Sequence, residues 1–204
     1  MFARSSDICE DGAHPASRGN RVCAPRQFGR FRRLRSLPAR RLTLIVRQKK
    51  VSEERAVPLP EWPQPDAGAP SPVTLADDTT LIVRYCTQAG RIAVIYFPLC
   101  SVFTFGSPND EALNGHPLYG RGLEFYSVHR VEHSSWIAML ERRNSVHPSH
   151  NRKRFLEDKR HFIFTFHDST LECVVNEGKF WPTEISQFDS EDAADAYIKK
   201  KRRA

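Results

Sequence analysis

No run of about 18 apolar residues occurs in the chain, which excludes a membrane-crossing helix. The longest apolar patch near the start, Leu42–Val46, is cut off by Arg47 and is too short for a signal-peptide core. The arginine-rich start has the tone of a transit peptide, but Asp7, Glu10 and Asp11 count against one. Cysteine is sparse: Cys9, Cys23, Cys86, Cys100 and Cys173 are odd in number and contain no Cys-x-x-Cys pair. That removes the common zinc and thiol-exchange spacings as well as a disulfide framework, and it fits a reducing, cytoplasmic compartment. No Gly-Lys-Ser/Thr follows a glycine-rich stretch, and Gly120-x-Gly122 lacks the third glycine of a dinucleotide site, so no phosphate cradle or cofactor is expected.

Basic charge is plentiful but confined. Residues 1–50 hold 13 Lys/Arg against 3 Asp/Glu, whereas 51–204 hold 18 against 21. The overall +7 is therefore a property of the first quarter, and the rest is mildly acidic, which argues against nucleic acid as a partner of the folded part. Residues 1–50 mix Arg, Ser, Gly and Pro with little periodicity and are expected to be disordered. Two readings of this segment stand side by side. In one it lies outside the natural protein, with translation starting at Val51 just after Lys49-Lys50. In the other it is a basic arm that binds nucleic-acid backbone by counterion release.

Residues 51–74 carry six prolines, Pro58, Pro60, Pro63, Pro65, Pro70 and Pro72, and read as an extended linker. An α+β domain is expected over 75–181, followed by a helix and basic tail over 182–204. Leu81, Val83 and Tyr85 alternate onto one face of a strand, Ile92–Phe97 is apolar on both faces as a central strand would be, and Val102–Phe105 makes a short third strand. A long polar stretch, Gly106–Gly122, then reads as a solvent loop or a recognition surface. Leu123, Phe125, Ser127, His129 and Val131 share one face of a fourth strand. Ser134 or Ser135 caps a helix that ends near Val146-His147-Pro148.

In His161–Asn176 an Asp168-Ser169 turn would set Phe166 opposite Leu171, Phe164 opposite Cys173 and Phe162 opposite Val175, all on one face. Ile163 and Val174 lie on the other face and ask for a cover, for which the 134–146 helix is the candidate. Acidic residues 189–192 and basic residues 199–203 bracket a last helix, docked through Ala194, Tyr197 and Ile198. The architecture expected is a single small antiparallel sheet of five or six strands, one helix packed on a face, and a short C-terminal helix.

Seven of the eight histidines lie between His116 and His167, which raises metal binding and acid–base catalysis. His129 and His133 would stand about 13 Å apart on a strand, and His147-Pro148-Ser149-His150 lacks a third ligand nearby, so no metal site is expected. His167-Asp168-Ser169 names the residues of a hydrolase triad, but neighbours in one turn serve the turn backbone instead. Cys100 and Cys173 sit in apolar runs as small hydrophobes. Arg152-Lys153-Arg154 with Lys159-Arg160 reads as a solvated face.

The leading expectation is a non-enzymatic binding or regulatory module for a protein or small-molecule ligand. Its contact surface would be the 107–122 loop, through Asn109, Asp110, His116, Tyr119 and Arg121, together with the outer end of the 161–176 hairpin. A histidine-assisted hydrolase using His116, His129 or His167 with Asp168 is second, and nucleic-acid binding through residues 1–50 is third. Segments 118–144 and 161–175 resemble stretches of small bacterial proteins of no assigned activity, and the resemblance implies no residue roles.

Overall fold

The computed structural model describes residues 52–203; the expectations for residues 1–50 lie outside the described residues. Nine strands and three α-helices follow in the order β1 (Arg55–Pro58), β2 (Val73–Ala76), β3 (Leu81–Cys86), β4 (Ile92–Phe97), β5 (Cys100–Gly106), β6 (Val128–Glu132), α1 (Ser135–Asn144), α2 (Arg152–Glu157), β7 (Lys159–Thr165), β8 (Thr170–Asn176), β9 (Glu184–Phe188) and α3 (Glu191–Lys201). A 3-10 turn, Asp110–Gly115, lies between β5 and β6.

The strands form two antiparallel sheets rather than one: a five-stranded sheet in the order β1-β6-β7-β8-β5 and a four-stranded sheet in the order β2-β3-β4-β9. Their inner faces share one core. Leu81, Val83, Tyr85, Ala93, Ile95 and Phe97 meet Val128, Phe162, Phe164, Phe166, Leu171, Cys173 and Val175, as when two half-buried sheets pack face to face. A period of two shows which face of a strand is buried but not which sheet it joins, and this is why a single sheet is the natural reading of the sequence.

The proline-rich stretch is no linker, since it supplies β1 and β2. Between them Leu59 and Trp62 pack against the shared core, with the Trp62 ring 4.9 Å from that of Phe162. Gln64 ties the stretch down by donating to the Leu59 and Trp62 carbonyls and accepting from Val128 N–H and Ser127 Oγ. Proline suits this role because its missing N–H leaves nothing to satisfy inside.

Each sheet also has an outer cover. The four-stranded sheet carries α3, whose Ala194 and Ile198 bury against Ile82 and Val94, with Tyr197 beside them. Ser190 caps this helix and its acidic and basic ends follow the helix dipole. On the five-stranded sheet, Ile163 clusters with Leu113, Leu118 and Leu123 of the loop before β6, and α1 also packs against β7. Helix α1, capped by Ser134, places Trp136 in a T-shaped contact with His161 on that face.

Two register details differ from expectation. The β7–β8 turn is centred on His167-Asp168, with Phe166 N–H bonded to the Ser169 carbonyl, so Phe164 faces Leu171 and Phe162 faces Cys173. Moving a two-residue turn by one position changes every partner by two, so all six side chains keep the expected face. Strand β6 begins only at Val128, because the Thr165 hydroxyl bonds the backbone of Glu124 and Ser127. Tyr126 there has φ +50, a left-handed conformation that breaks the ladder.

Candidate functional site

The outer face of the five-stranded sheet carries the site. Ile163 pairs with Glu172 and His161 with Val174 across β7–β8, so strand alternation puts His161 and Glu172 on the face opposite the phenylalanine core. The loop lays His116 over them, and its apolar neighbours explain why it stays: Leu113 and Leu118 are buried against Ile163. Near its other end Gly122 (φ +92) runs so close to β1 that a Cβ there would stand 2.2 Å from the Ala56 carbonyl oxygen. Ala56 N–H in turn donates to the Arg121 carbonyl.

Four side chains join in a line. His116 Nε2 lies 2.9 Å from Glu172 Oε1, His161 Nε2 lies 3.1 Å from Glu172 Oε2, and Ser134 Oγ lies 2.9 Å from His161 Nδ1. The remaining bonds assign the hydrogens. His116 Nδ1 accepts from Leu118 N–H, so its Nε2–H donates to the carboxylate. Ser134 Oγ accepts from Ile137 N–H at the start of α1, and its O–H is placed to donate to His161 Nδ1 in the tautomer whose Nε2–H donates to Glu172. Burial opposes charge on Glu172, but the N–H groups of His116 and His161 outweigh it and hold the carboxyl down at about 2. The result is a carboxylate held ionised by two imidazole N–H groups.

A pocket of about 280 Å³ opens beside this carboxylate, lined by Glu54, Thr104, His116, Trp136, His161 and Glu172 among others. Glu54 is anchored at the start of α1, accepting from Ser135 N–H at 2.6 Å. The pocket wall thus brings two carboxylates, an indole and two imidazoles together.

The residues singled out from the sequence divide by location. Asn109 caps the 3-10 turn by accepting from Ala112 N–H. Asp110 accepts from Tyr126 O–H at 2.5 Å, and this bond, ahead of the other contributions, holds the Asp110 carboxyl below its usual range. His167 stacks on Tyr126 and bonds Asp168 at 2.9 Å, which raises its pKa. The loop and the hairpin end therefore do meet, with Asp110 N–H bonded to the His167 carbonyl. Tyr119 stands half-exposed against Phe125, and Arg121 pairs with Glu53 at 3.3 Å.

The three candidate histidines serve separate networks. His116 joins Glu172; His129 is fully buried, accepts from Glu124 N–H and is pushed down to about 4 by burial; His167 stays at the hairpin turn. Sequence reasoning does not single out His161 or Glu172, and it reads Ser134 only as a helix cap. The signal is present for the first two, since the parity that buries Phe162 and Cys173 also places His161 and Glu172 together on the other face. Burial raises the pKa of Cys100, to about 11, and that of Cys173 well above the usual thiol range, so neither offers a thiolate.

Among the described residues no group of three or more His, Cys, Asp or Glu is disposed to hold a metal ion, and no helix is long and apolar enough to cross a membrane. Compared with protein-family models, with curated proteins and with solved structures, the chain finds no match in any of the three.

Proposed function

We propose that the domain is a non-catalytic binding module, and that the pocket beside Glu172 receives a small ligand through a cationic group, an ammonium or guanidinium. The observation that carries this reading is the braced carboxylate: Glu172 is held ionised by two imidazole N–H groups at the wall of a small pocket. A carboxylate in a partly desolvated wall attracts a cation more strongly than one in water, and the Trp136 indole lines the same pocket. Glu54 adds a second carboxylate to the pocket wall.

The test is calorimetric titration of the full chain with alkylamines and alkylguanidines, using alkyl carboxylates of the same length as controls. The amines bind, the carboxylates do not, and Glu172→Gln weakens binding at least tenfold. Equal binding by Glu172→Gln would contradict the reading.

A hydrolase stands second, on the specific observation that Ser134, His161 and Glu172 run in the order hydroxyl, imidazole, carboxylate. Two facts count against it. The Ser134 hydroxyl already accepts a helix N–H, and Ser134 is absent from the pocket wall, where its neighbour Ser135 stands instead. The readings separate on Ser134→Ala. A binding module keeps its amine affinity and loses about 1 kcal/mol of stability with the helix cap, whereas a hydrolase loses all turnover of activated esters.

A further inference from the structure

A second groove lies away from the Glu172 pocket, shares no lining residue with it, and is independent of the function proposed for that pocket. It is an open concavity of about 840 Å³ between α2 and the turn after β8. Its wall combines three cations, Arg154, Lys159 and Lys179, with three aromatic rings, Phe155, Phe180 and Trp181. Two of the rings stand in solvent: Phe180 is 82% and Trp181 51% exposed. Consecutive large apolar side chains held out in water, rimmed by charge, mark an interaction surface.

The charge is local. Residues 51–204 sum to −3, from 18 basic and 21 acidic side chains, yet the groove wall has three cations against one carboxylate, Asp158. That carboxylate is packed on the backbone of the turn, close enough to Gly178 that a Cβ there would stand 3.0 Å from its Cγ. Among the described residues Arg154 and Lys179 enter no ion pair within 4.0 Å, and the Lys159 ammonium bonds Ser101 Oγ and lies 4.9 Å over the Phe155 ring. The side chains of Asn144, Asn151 and Asn176 line the same concavity, adding neutral donors and acceptors.

We propose that this groove binds single-stranded nucleic acid, with bases stacked on Phe180 and Trp181 and phosphates set against Arg154, Lys159 and Lys179. Unpaired cations recognise a polyanion, and exposed flat rings recognise bases, whichever base is present. An acidic peptide would use the cations and leave the rings unstacked. An anionic membrane would call for a protruding surface, whereas these residues line a concavity. The basic cluster that reads in the sequence as a solvated face thus gains a partner from the turn at 178–181, which folding brings beside it.

The experiment is fluorescence anisotropy of a short labelled oligothymidylate titrated with the full chain over a range of salt. Trp181→Ala weakens binding about tenfold, Trp181→Phe stays close to wild type, and Arg154→Gln/Lys179→Gln lowers the log–log salt slope by about 1.4, at about 0.7 for each phosphate no longer neutralised. The 13 basic side chains of residues 1–50 add a salt-dependent contribution of their own, which none of these substitutions touches. All are at exposed or groove-wall positions, and an unchanged melting curve confirms that folding is intact. Wild-type affinity in Trp181→Ala would overturn the proposal, as would failure of the wild type to bind. Displacement of the oligonucleotide by polyglutamate at equal charge concentration, or tighter binding to phosphatidylserine vesicles than to the oligonucleotide, would also overturn it.

Discussion

Gly122 is a position where any side chain collides with backbone. A Cβ would sit 2.2 Å from the Ala56 carbonyl oxygen at a φ of +92, so Gly122→Ala must push β1 and the loop apart. A loss of roughly 2–4 kcal/mol is expected in chemical denaturation. Two titrating side chains contribute steps to the response to acid. The unfolded chain protonates His129 near 6.5 but the buried imidazole only near 4, so stability present above 6.5 is lost as pH falls from 6.5 to 4. Glu172, ionised down to about 2 against an ordinary 4.5, holds its contribution above 4.5 and loses it as pH falls from 4.5 to 2. The melting temperature should therefore drop in two stages on acidification. His129→Gln flattens the upper stage, and Glu172→Gln flattens the lower one while costing about 1–3 kcal/mol at neutral pH through the unpaired imidazole N–H groups.

At the scale of elements, the stretch 107–122 shows how composition misleads. Its glycines and charges suggest solvent, yet Leu113 and Leu118 are buried and complete the cover of Ile163. Leu118→Ala should cost about 2–4 kcal/mol, as a core truncation does. It should also weaken amine binding, because the buried Leu118 side chain anchors the backbone whose N–H fixes the His116 ring. Strand faces are legible wherever alternation is strict: Leu81, Val83 and Tyr85, the six inward residues of the 161–176 hairpin, and Ala194 with Ile198 all lie as their spacing implies. The illegible parts arise from local side-chain chemistry acting at a distance. The Thr165 hydroxyl removes residues 124–127 from β6, and a turn shifted by one residue re-pairs the hairpin without changing a face. The candidate site shares this limit. Ser134 reads as a helix cap, but its contact with His161 joins residues 27 apart in sequence.

For the whole molecule, the unexpected feature is the division into two sheets with a shared interior and separate outer covers. That division gives the outer face of the five-stranded sheet its own small core, and the polar line from Ser134 to His116 lies beside it. The account turns on the state of this line: two imidazoles whose Nε2–H groups brace an ionised carboxylate on the pocket wall. Nitrogen-detected NMR of the histidine rings in the full chain, recorded near neutral pH with and without an alkylammonium salt, reads that state directly. The account predicts Nε2–H tautomers for both His116 and His161, with both ring signals moving when the ammonium is added. A hydrogen on Nδ1 of either ring, or signals indifferent to saturating ammonium, would contradict it.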